Sequence, residues 1–262
     1  MGVPLTTEEF VKRHKADLQA LGFDIQFLAF VIFLLDIKGG DVIKYETEDD
    51  IVVLCADKTK WLIQVKNSVD DNAKMTDADS DFWGTLDNWL TLYAISTSKV
   101  DFLKDGNRFI LYTNKTLSNS FYEQIKGLKQ GKCGIEEVIS FLQKVKDAVS
   151  YFPIVEKMLK LGKVELRMFL LKVEVMQVPD SLGALYEKFL IQNNSPTKAD
   201  QIVCELLGKL HTEKINAASN HNTLSYEKNA FMKEYRGILQ KVSDESLTPI
   251  IDDNIEIPED VN

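Results

Sequence analysis

The sequence has few cysteines and no long apolar run. Cys55, Cys133 and Cys204, three among 262 residues, are too few and too scattered for a disulfide framework or a zinc cluster. The longest apolar run, residues 27–35, is nine residues long, whereas a membrane-spanning helix needs about 20. No basic leader with an apolar segment and a cleavage site stands out, so we expect no signal peptide. We therefore expect a cytoplasmic protein in a reducing compartment, with no membrane partner.

Histidine is also scarce, and glycine is not concentrated in a phosphate-binding loop. His14, His211 and His221 lie far apart and match no metal-ligand spacing. No glycine-rich loop of the Walker type is present. The sequence therefore gives no indication of a histidine-based metal site or of a nucleotide-binding P-loop.

Negative charge predominates, but it is unevenly distributed. Of the net charge of -9, residues 1–116 contribute -6, residues 117–241 contribute +4 and residues 242–262 contribute -7. Phosphate binding needs local positive potential and not a positive total, so the total charge is only weak evidence against a nucleic-acid partner. An acidic N-terminal part is also what carboxylates gathered for metal binding would produce.

The N-terminal part combines helix and strand patterns. A capping box at residues 6–9 predicts a helix that ends at Gly22, and an apolar stretch predicts a second helix over residues 24–36. Two short β-branched and aromatic runs, residues 51–54 and 61–65, predict a β-hairpin that is buried on both faces.

A helix and a further strand follow the hairpin. Residues 76–79 are typical of a helix cap, and the apolar positions after them recur at helical spacing, with Trp83 and Trp89 as predicted core residues. Residues 109–113 read as another buried strand.

Beyond residue 117 the hydrophobic period changes to that of helices. Three apolar stripes begin at Ile135, Leu182 and Ile202. Residues 164–178 are compatible with helix or strand, and the valines before Pro179 favour a strand.

The fold class that these patterns predict is α/β, with a central mixed sheet flanked by helices and a helical C-terminal region. We divide the chain into a core over residues 1–116 and a helical region over residues 117–243. That region either completes the domain or mediates oligomerisation or partner docking. An acidic tail over residues 244–262 is expected to be disordered.

Polar residues stand at the entry and the exit of the predicted hairpin, where its apolar strands do not explain them. They are Glu46, Glu48, Asp49 and Asp50 before the first strand, and Gln64 and Lys66 in the second. Lysines that flank this region are candidates for holding phosphates, although each by default is a solvated surface residue. They are Lys58, Lys60, Lys74 and Lys115.

Strand geometry predicts which of these side chains meet. Side chains alternate between the two faces of a strand, so Gln64 and Lys66 share one face. A turn centred near Lys58 places Asp50 opposite Lys66, and a slip of two residues places it opposite Gln64. In either register Asp50 projects toward Gln64 and Lys66 while Asp49 projects away, provided that the strand extends to residue 50. We therefore expect Asp50→Asn to cost more activity than Asp49→Asn.

These residue types suit metal-assisted phosphodiester hydrolysis. Asp50, Glu46 and the carbonyl oxygen of Gln64 supply the oxygen ligands that Mg²⁺ or Mn²⁺ prefers. Lys66 could neutralise the scissile phosphate, or position and help deprotonate the attacking water. The alternative is that Lys66 forms a structural ion pair with Asp50 or Glu46, because an unpaired buried charge is costly.

The pattern of Asp50, Gln64 and Lys66 resembles the PD-(D/E)XK nuclease core, in the variant in which Gln replaces the Glu of Glu-x-Lys. The replacement removes one charge from the ligand set, so a weaker metal affinity is expected. On its own a Gln-x-Lys sequence is a weak motif. The acidic cluster at hairpin distance makes the resemblance more specific.

A closer resemblance extends over about residues 20–115. Residues 22–26, residues 45–51 with 63–68, and residues 75–89 resemble the double-strand DNA endonuclease domain of bacterial anti-phage effectors. Such domains occur in the SAVED-containing effectors of cyclic-oligonucleotide (CBASS) systems and in related STAND- or HerA-associated defence nucleases.

The resemblance implies that Asp50 and Gln64 bind metal and that Lys66 is catalytic, with Glu46 and Gln26 as accessory polar groups of the same pocket. It implies a Mg²⁺-dependent (Mn²⁺ possible) endonuclease that cleaves double-stranded DNA in anti-phage defence. Control by homo-oligomerisation, a HerA-type ATPase, or a STAND or SAVED sensor module is expected. Two alternatives stay open: a catalytically inactive nuclease-like module that binds DNA or a partner, and a nuclease directed at RNA.

Overall fold

The computed structural model describes residues 16–70, 72–145, 151–193 and 196–246. The predicted capping box at residues 6–9 lies outside these residues, as does the tail beyond residue 246.

The described chain contains ten helices and eight strands. The helices are α1 (Ala16–Asp36), α2 (Ser80–Ile95), α3 (Lys99–Phe102), α4 (Ser120–Lys129), α5 (Ile135–Val145), α6 (Phe152–Leu159), α7 (Lys163–Lys172), α8 (Ser181–Asn193), α9 (Pro196–Ser219) and α10 (Lys228–Ser246). The strands are β1 (Val42–Tyr45), β2 (Ile51–Leu54), β3 (Lys60–Lys66), β4 (Lys74–Thr76), β5 (Arg108–Thr113), β6 (Thr116–Ser118), β7 (Val173–Gln177) and β8 (Ser225–Glu227).

Six strands form a mixed sheet in the order β7-β5-β3-β2-β1-β8. The pairs β8–β1, β1–β2 and β2–β3 are antiparallel, whereas β3–β5 and β5–β7 are parallel. Strands β4 and β6 form a separate parallel pair. The predicted α/β class, with a mixed sheet flanked by helices, is confirmed.

The alternation of side chains along β2 and β3 divides the core between the two faces of the sheet. Ile51 and Val53 pack with α1, α8, α9 and α10 in one apolar cluster. Val52 and Leu62 face the other cluster, which contains α2 and α4 to α7. Gln64 and Lys66 have the same parity as Leu62, so they point to the face that α2 covers.

The apolar stripes of the C-terminal helices are used inside this core. Val138, Leu142, Leu185 and Leu206 are all at most 1% exposed. These positions therefore bury their area within the chain and do not form an apolar surface for a second copy.

Two local predictions were wrong. No helix ends at Gly22, because α1 is continuous from Ala16 to Asp36. A Cβ at Gly22 would meet nothing within 4 Å, so the glycine lies in an open part of the helix surface, and one glycine costs a helix only about 1 kcal/mol. The predicted strand over residues 164–178 is a strand only from Val173, since residues 163–172 form α7.

No described helix combines the length and apolar character needed to cross a membrane.

Candidate functional site

A pocket of about 470 Å³ lies where β2 begins, between the bend that precedes β2 and the middle of α2. Its lining is formed by Glu46, Thr47, Glu48, Asp49, Asp50, Gln64, Asn88, Thr91 and Leu92. Carboxylates predominate in this lining, so the pocket favours a cation over an anion.

The pairing of β2 with β3 brings Asp50 next to Gln64. The last pair of the ladder joins Ile51 to Ile63, so Asp50 and Gln64 are the residues that follow immediately beyond it. This register is the two-residue slip considered from the sequence. The Asp50 carboxylate accepts a hydrogen bond from the backbone N–H of Val65, with 2.7 Å between Oδ2 and N. The strand that carries Gln64 therefore also fixes the carboxylate.

Gln64 is a buried polar residue in an apolar strand, only 7% exposed. Its Oε1 accepts a hydrogen bond from Nδ2 of Asn88 in α2, at 3.1 Å. A carbonyl oxygen has two lone pairs, so one of them stays available to a cation in the pocket.

Asp49 also lines the pocket, which contradicts the expectation that it points away from Gln64. Its Oδ2 accepts a hydrogen bond from Trp89 Nε1 at 2.7 Å, and its Oδ1 accepts one from the Asp50 N–H at 3.0 Å. The reason is that β2 begins only at Ile51. Residues 46–50 form bends, in which strand alternation does not apply. The structural basis for a milder Asp49→Asn effect is therefore lost.

Burial in the pocket raises the pKa values of both aspartates. Desolvation raises the pKa of Asp49 to about 6, and the indole N–H of Trp89 and the positive charge of Lys66 act in the opposite direction. Desolvation also raises the pKa of Asp50, against the Val65 N–H and Lys66. Desolvation thus disfavours the charged forms of two adjacent aspartates, and a bound cation would favour those charged forms.

Lys66 ends β3, and its side chain is half-buried. Its charge acts on both Asp49 and Asp50. Among the ion pairs of the described residues, none includes Lys66. Lys66 is not itself among the pocket-lining residues. Its positive charge lowers the pKa values of the two aspartates without the structural ion pair that was the alternative.

The two accessory residues have different positions. Glu46 is exposed and lines the pocket, with a left-handed φ of 49° that turns the chain from β1 toward β2. Gln26 is 9% exposed on α1, and the residues next to it in that helix pack against the opposite face of the sheet. Gln26 is not among the pocket-lining residues, so the structure brings Glu46, but not Gln26, to this pocket.

Tyr45 lies on the α1 side of the same bend. Its ring packs edge-on against Phe27 and Phe30, and its buried hydroxyl has no hydrogen-bond partner among the described residues. Burial raises the pKa of Tyr45 well above its ordinary value, with the charges of Glu46 and Asp50 adding to the effect. The hydroxyl therefore stays protonated at all physiological pH values.

Two of the four flanking lysines form ion pairs. Lys60 pairs with Glu48 at 2.8 Å, and Lys115 pairs with both Asp79 and Asp81. The ammonium groups of these two residues are therefore already paired with carboxylates and are not free to bind a phosphate.

The donor set fits a hard divalent cation that keeps most of its waters. Asp50, Glu46 and Gln64 present carboxylate and carbonyl oxygens to one pocket, and Asp49 adds another carboxylate. The described residues contain no group of three or more His, Cys, Asp or Glu side chains that could by itself hold a metal. Mg²⁺ does not require one, since it is commonly bound by one or two protein carboxylates plus water and substrate phosphate.

Sequence patterns missed the roles of Asn88 and Trp89. Trp89 was predicted as a core residue and is fully buried, yet its indole also reaches Asp49. Helical spacing identifies the face on which a residue lies but not the partner of its N–H group. Both residues do lie within residues 75–89, one of the segments that resemble the nuclease domain of anti-phage effectors, and this resemblance could have drawn attention to them.

The raised pKa of Asp49 predicts a pH-dependent stability of the metal-free protein. A carboxyl whose pKa is higher in the folded state stabilises folding below its unfolded pKa, about 3.9, and loses that contribution as pH rises through about 6. We expect wild type in EDTA to lose on the order of 2 kcal/mol between pH 4 and pH 7.5 relative to Asp49→Asn. Urea denaturation of both proteins at the two pH values measures their free energies of unfolding. An equal change in the free energy of unfolding of both proteins between pH 4 and pH 7.5 would contradict the prediction.

Comparison with known proteins gives matches only among solved structures. No protein-family model and no curated protein matches the chain. The Cap4 SAVED/CARF-domain containing receptor of Moraxella osloensis has a TM-score of 0.49 and 14% identity, covering 86% of this chain and 47% of the receptor. The Acinetobacter baumannii Cap4 receptor with the cyclic trinucleotide 3'3'3'-cAAA has a TM-score of 0.48 and 12% identity, covering 86% and 46%. This chain thus spans about half the length of these receptors, and similarity at this level assigns it no activity.

Proposed function

We propose that the chain is a Mg²⁺-dependent endonuclease that hydrolyses double-stranded DNA in bacterial anti-phage defence. The observation that carries the proposal is that Asp50 and Gln64 line one pocket, while Lys66, two residues beyond Gln64 at the end of β3, has a charge that acts on the aspartates. These are the three residues on which the sequence resemblance to anti-phage nucleases depends. The resemblance suggests the reaction and its place in anti-phage defence, and the geometry supports the proposal that these residues act together.

Each residue has a distinct chemical role in this proposal. Oxygens of Asp50, Gln64 and Glu46 would hold the cation, whose charge would polarise the scissile phosphate and activate the attacking water. Lys66 ends β3, on the face of the sheet to which Gln64 also points, and supplies a positive charge. It would neutralise the phosphate as negative charge develops there, which is the kind of preorganised electrostatic stabilisation that contributes most to such reactions.

The charge of the pocket makes the cation necessary for binding as well as for hydrolysis. Glu46, Glu48, Asp49 and Asp50 all line it, so a DNA phosphate would meet repulsion on entering a cation-free pocket. We expect DNA affinity to fall about tenfold or more when EDTA replaces a non-catalytic cation such as Ca²⁺. Fluorescence anisotropy with a labelled duplex measures this, and equal affinity in both buffers would count against a phosphate site at this pocket.

The direct test is cleavage of supercoiled plasmid by the purified full chain. We expect nicked and linear products with Mg²⁺ or Mn²⁺ and none with EDTA. Single-stranded RNA of matched length is the control substrate. RNA cleavage without DNA cleavage would replace the proposed substrate. DNA binding without cleavage in any divalent cation would favour the inactive binding module.

Control of such an activity by oligomerisation or by a sensor or ATPase partner belongs to the same proposal. An unregulated DNA endonuclease would damage its own cell, so a control layer is expected. The apolar stripes of the C-terminal helices give it little support, because most of their positions pack in this chain's core, although Leu182 is 50% exposed. Light scattering of the protein with and without DNA and Ca²⁺ tests whether the protein oligomerises. A protein that keeps its monomer mass when bound to DNA would contradict control by oligomerisation.

A further inference from the structure

Helix α2 presents two consecutive residues to the groups of the pocket. Asn88 donates from Nδ2 to Oε1 of Gln64 at 3.1 Å, and Trp89 donates from Nε1 to Oδ2 of Asp49 at 2.7 Å. Neighbouring residues of a helix point about 100° apart. One turn of α2 therefore reaches both β3 and the bend that precedes β2.

The contact from Asn88 acts on the orientation of a rotatable carboxamide. A glutamine side chain can exchange the positions of its oxygen and nitrogen by a half-turn about its last bond, and only its neighbours decide between the two. A donor at Asn88 favours the orientation in which Oε1 of Gln64 faces the pocket. Asn88 itself is exposed, so this contact contributes little to the core.

Trp89 contacts the carboxylate of Asp49, which lies in the bend before β2 begins. An indole N–H is a donor only, and the ring of Trp89 is fixed, with no exposed surface and Phe109 packed against it at 5.6 Å between centroids. Asp49 lies in a bend, where no strand ladder defines its direction. The buried indole therefore supplies the direction that the backbone does not.

We propose that Asn88 and Trp89 are positioning residues of the cation site, with Asn88 orienting the carbonyl oxygen of Gln64 and Trp89 holding the Asp49 carboxylate in the pocket. This inference rests on the proposed metal-dependent function and adds to it a named pair of supporting residues on α2. Neither residue touches the reacting atoms. Asn88 acts through Gln64, a proposed ligand, and Trp89 acts through Asp49, a further carboxylate of the pocket lining.

The first experiment compares two buried tryptophans of the same helix. Trp83 is 1% exposed, and its Nε1 donates to the backbone oxygen of Asp77 at 2.7 Å. Trp83→Phe therefore removes the same chemical group and one hydrogen bond of the same length, but at a position outside the pocket lining. We expect Trp89→Phe to bind Mn²⁺ about 10–100-fold more weakly than wild type, as is usual when an outer-shell partner is removed. Trp83→Phe should bind it normally. Electron paramagnetic resonance of free Mn²⁺ measures the affinity without turnover.

The second experiment uses the exposed residue, whose variants should fold without difficulty. Asn88→Ala removes the donor to Gln64. The control Asn220→Ala removes another exposed asparagine, which is not part of the pocket lining and whose Nδ2 donates to the backbone oxygen of Asn216 at 2.8 Å. We expect a roughly tenfold rise in the Mg²⁺ concentration for half-maximal cleavage with Asn88→Ala, with the rate at saturating Mg²⁺ largely recovered. Asn220→Ala should leave both quantities unchanged.

The outcomes separate this inference from the proposed function. If wild type cleaves DNA and binds Mn²⁺ while Trp89→Phe and Asn88→Ala match it, the positioning role is wrong and the nuclease proposal stands. Equal weakening in Trp83→Phe and Trp89→Phe also overturns it, because the effect would then come from helix packing. A wild type that neither binds Mn²⁺ nor cleaves DNA overturns both.

Discussion

Lys66→Ala is expected to reduce Mg²⁺-dependent plasmid cleavage by about a thousandfold while the protein stays folded. The ammonium of Lys66 is the positive charge that acts on Asp49 and Asp50, and no ion pair with another described residue ties it to a structural role. Its removal therefore takes charge stabilisation from the site and little from the core. Initial rates of supercoil loss at saturating Mg²⁺ measure the effect, and circular dichroism confirms the fold.

The chain offers a matched control for this variant. Lys104 lies between α3 and β5, is exposed, and its ammonium donates to the backbone oxygen of Asp57 at 3.0 Å, outside the pocket lining. Lys104→Ala should keep at least half of the wild-type rate. Lys66→Arg separates two roles of the lysine, because an arginine keeps the charge but does not release a proton. Retained cleavage in a purified Lys66→Ala protein would be decisive against the nuclease assignment.

Asp50→Asn is expected to lose cleavage by at least a hundredfold and, unusually for a buried substitution, not to lose stability. Asparagine keeps an oxygen that can accept the hydrogen bond from the Val65 N–H, so the local structure should persist. It also removes a charge that burial disfavours, since desolvation raises the pKa of Asp50. In EDTA at pH 7.5 the variant should therefore unfold at the same temperature as wild type or at a higher one.

Adding Mg²⁺ should reverse the order of stability. A ligand that binds only the folded state stabilises it by RT ln(1 + [L]/Kd), about 1.4 kcal/mol at ten times the Kd. Wild type should gain that amount, and Asp50→Asn should gain almost none. Asp57→Asn, in the turn at the other end of the hairpin, is the control and should respond to Mg²⁺ like wild type. Equal Mg²⁺ stabilisation of Asp50→Asn and wild type would remove Asp50 from the ligand set.

The sequence predicted the hairpin and the alternation within β3 because both are local properties. Apolar residues on either side of Gln64 indicated a strand buried on both faces, and parity alone placed Lys66 on the face of Gln64. The sequence left two possible registers for the pairing of the hairpin strands. The observed pairing of Ile51 with Ile63 is the register that brings Asp50 next to Gln64.

The direction of Asp49 could not be obtained in the same way. It depends on where β2 begins, and a strand boundary is set by tertiary contacts such as the one between Asp49 and Trp89, 40 residues further along the chain. The boundary between α7 and β7 shows a related effect. Leu166, Phe169 and Leu170 have helical spacing and are buried, but the valines that follow favoured a strand over the whole segment.

The two outer strands of the central sheet have a consequence for how the protein is made. Strand β5 is covered by β7 and strand β1 by β8, and both covering strands come from the second half of the chain. A nascent polypeptide that has emerged only as far as residue 116 would carry the hairpin residues but expose two unpaired strand edges, which invite association with other chains. Completion of the sheet must wait until residues 225–227 have been synthesised. Truncating the protein to its first 116 residues should therefore yield aggregates and not a minimal enzyme.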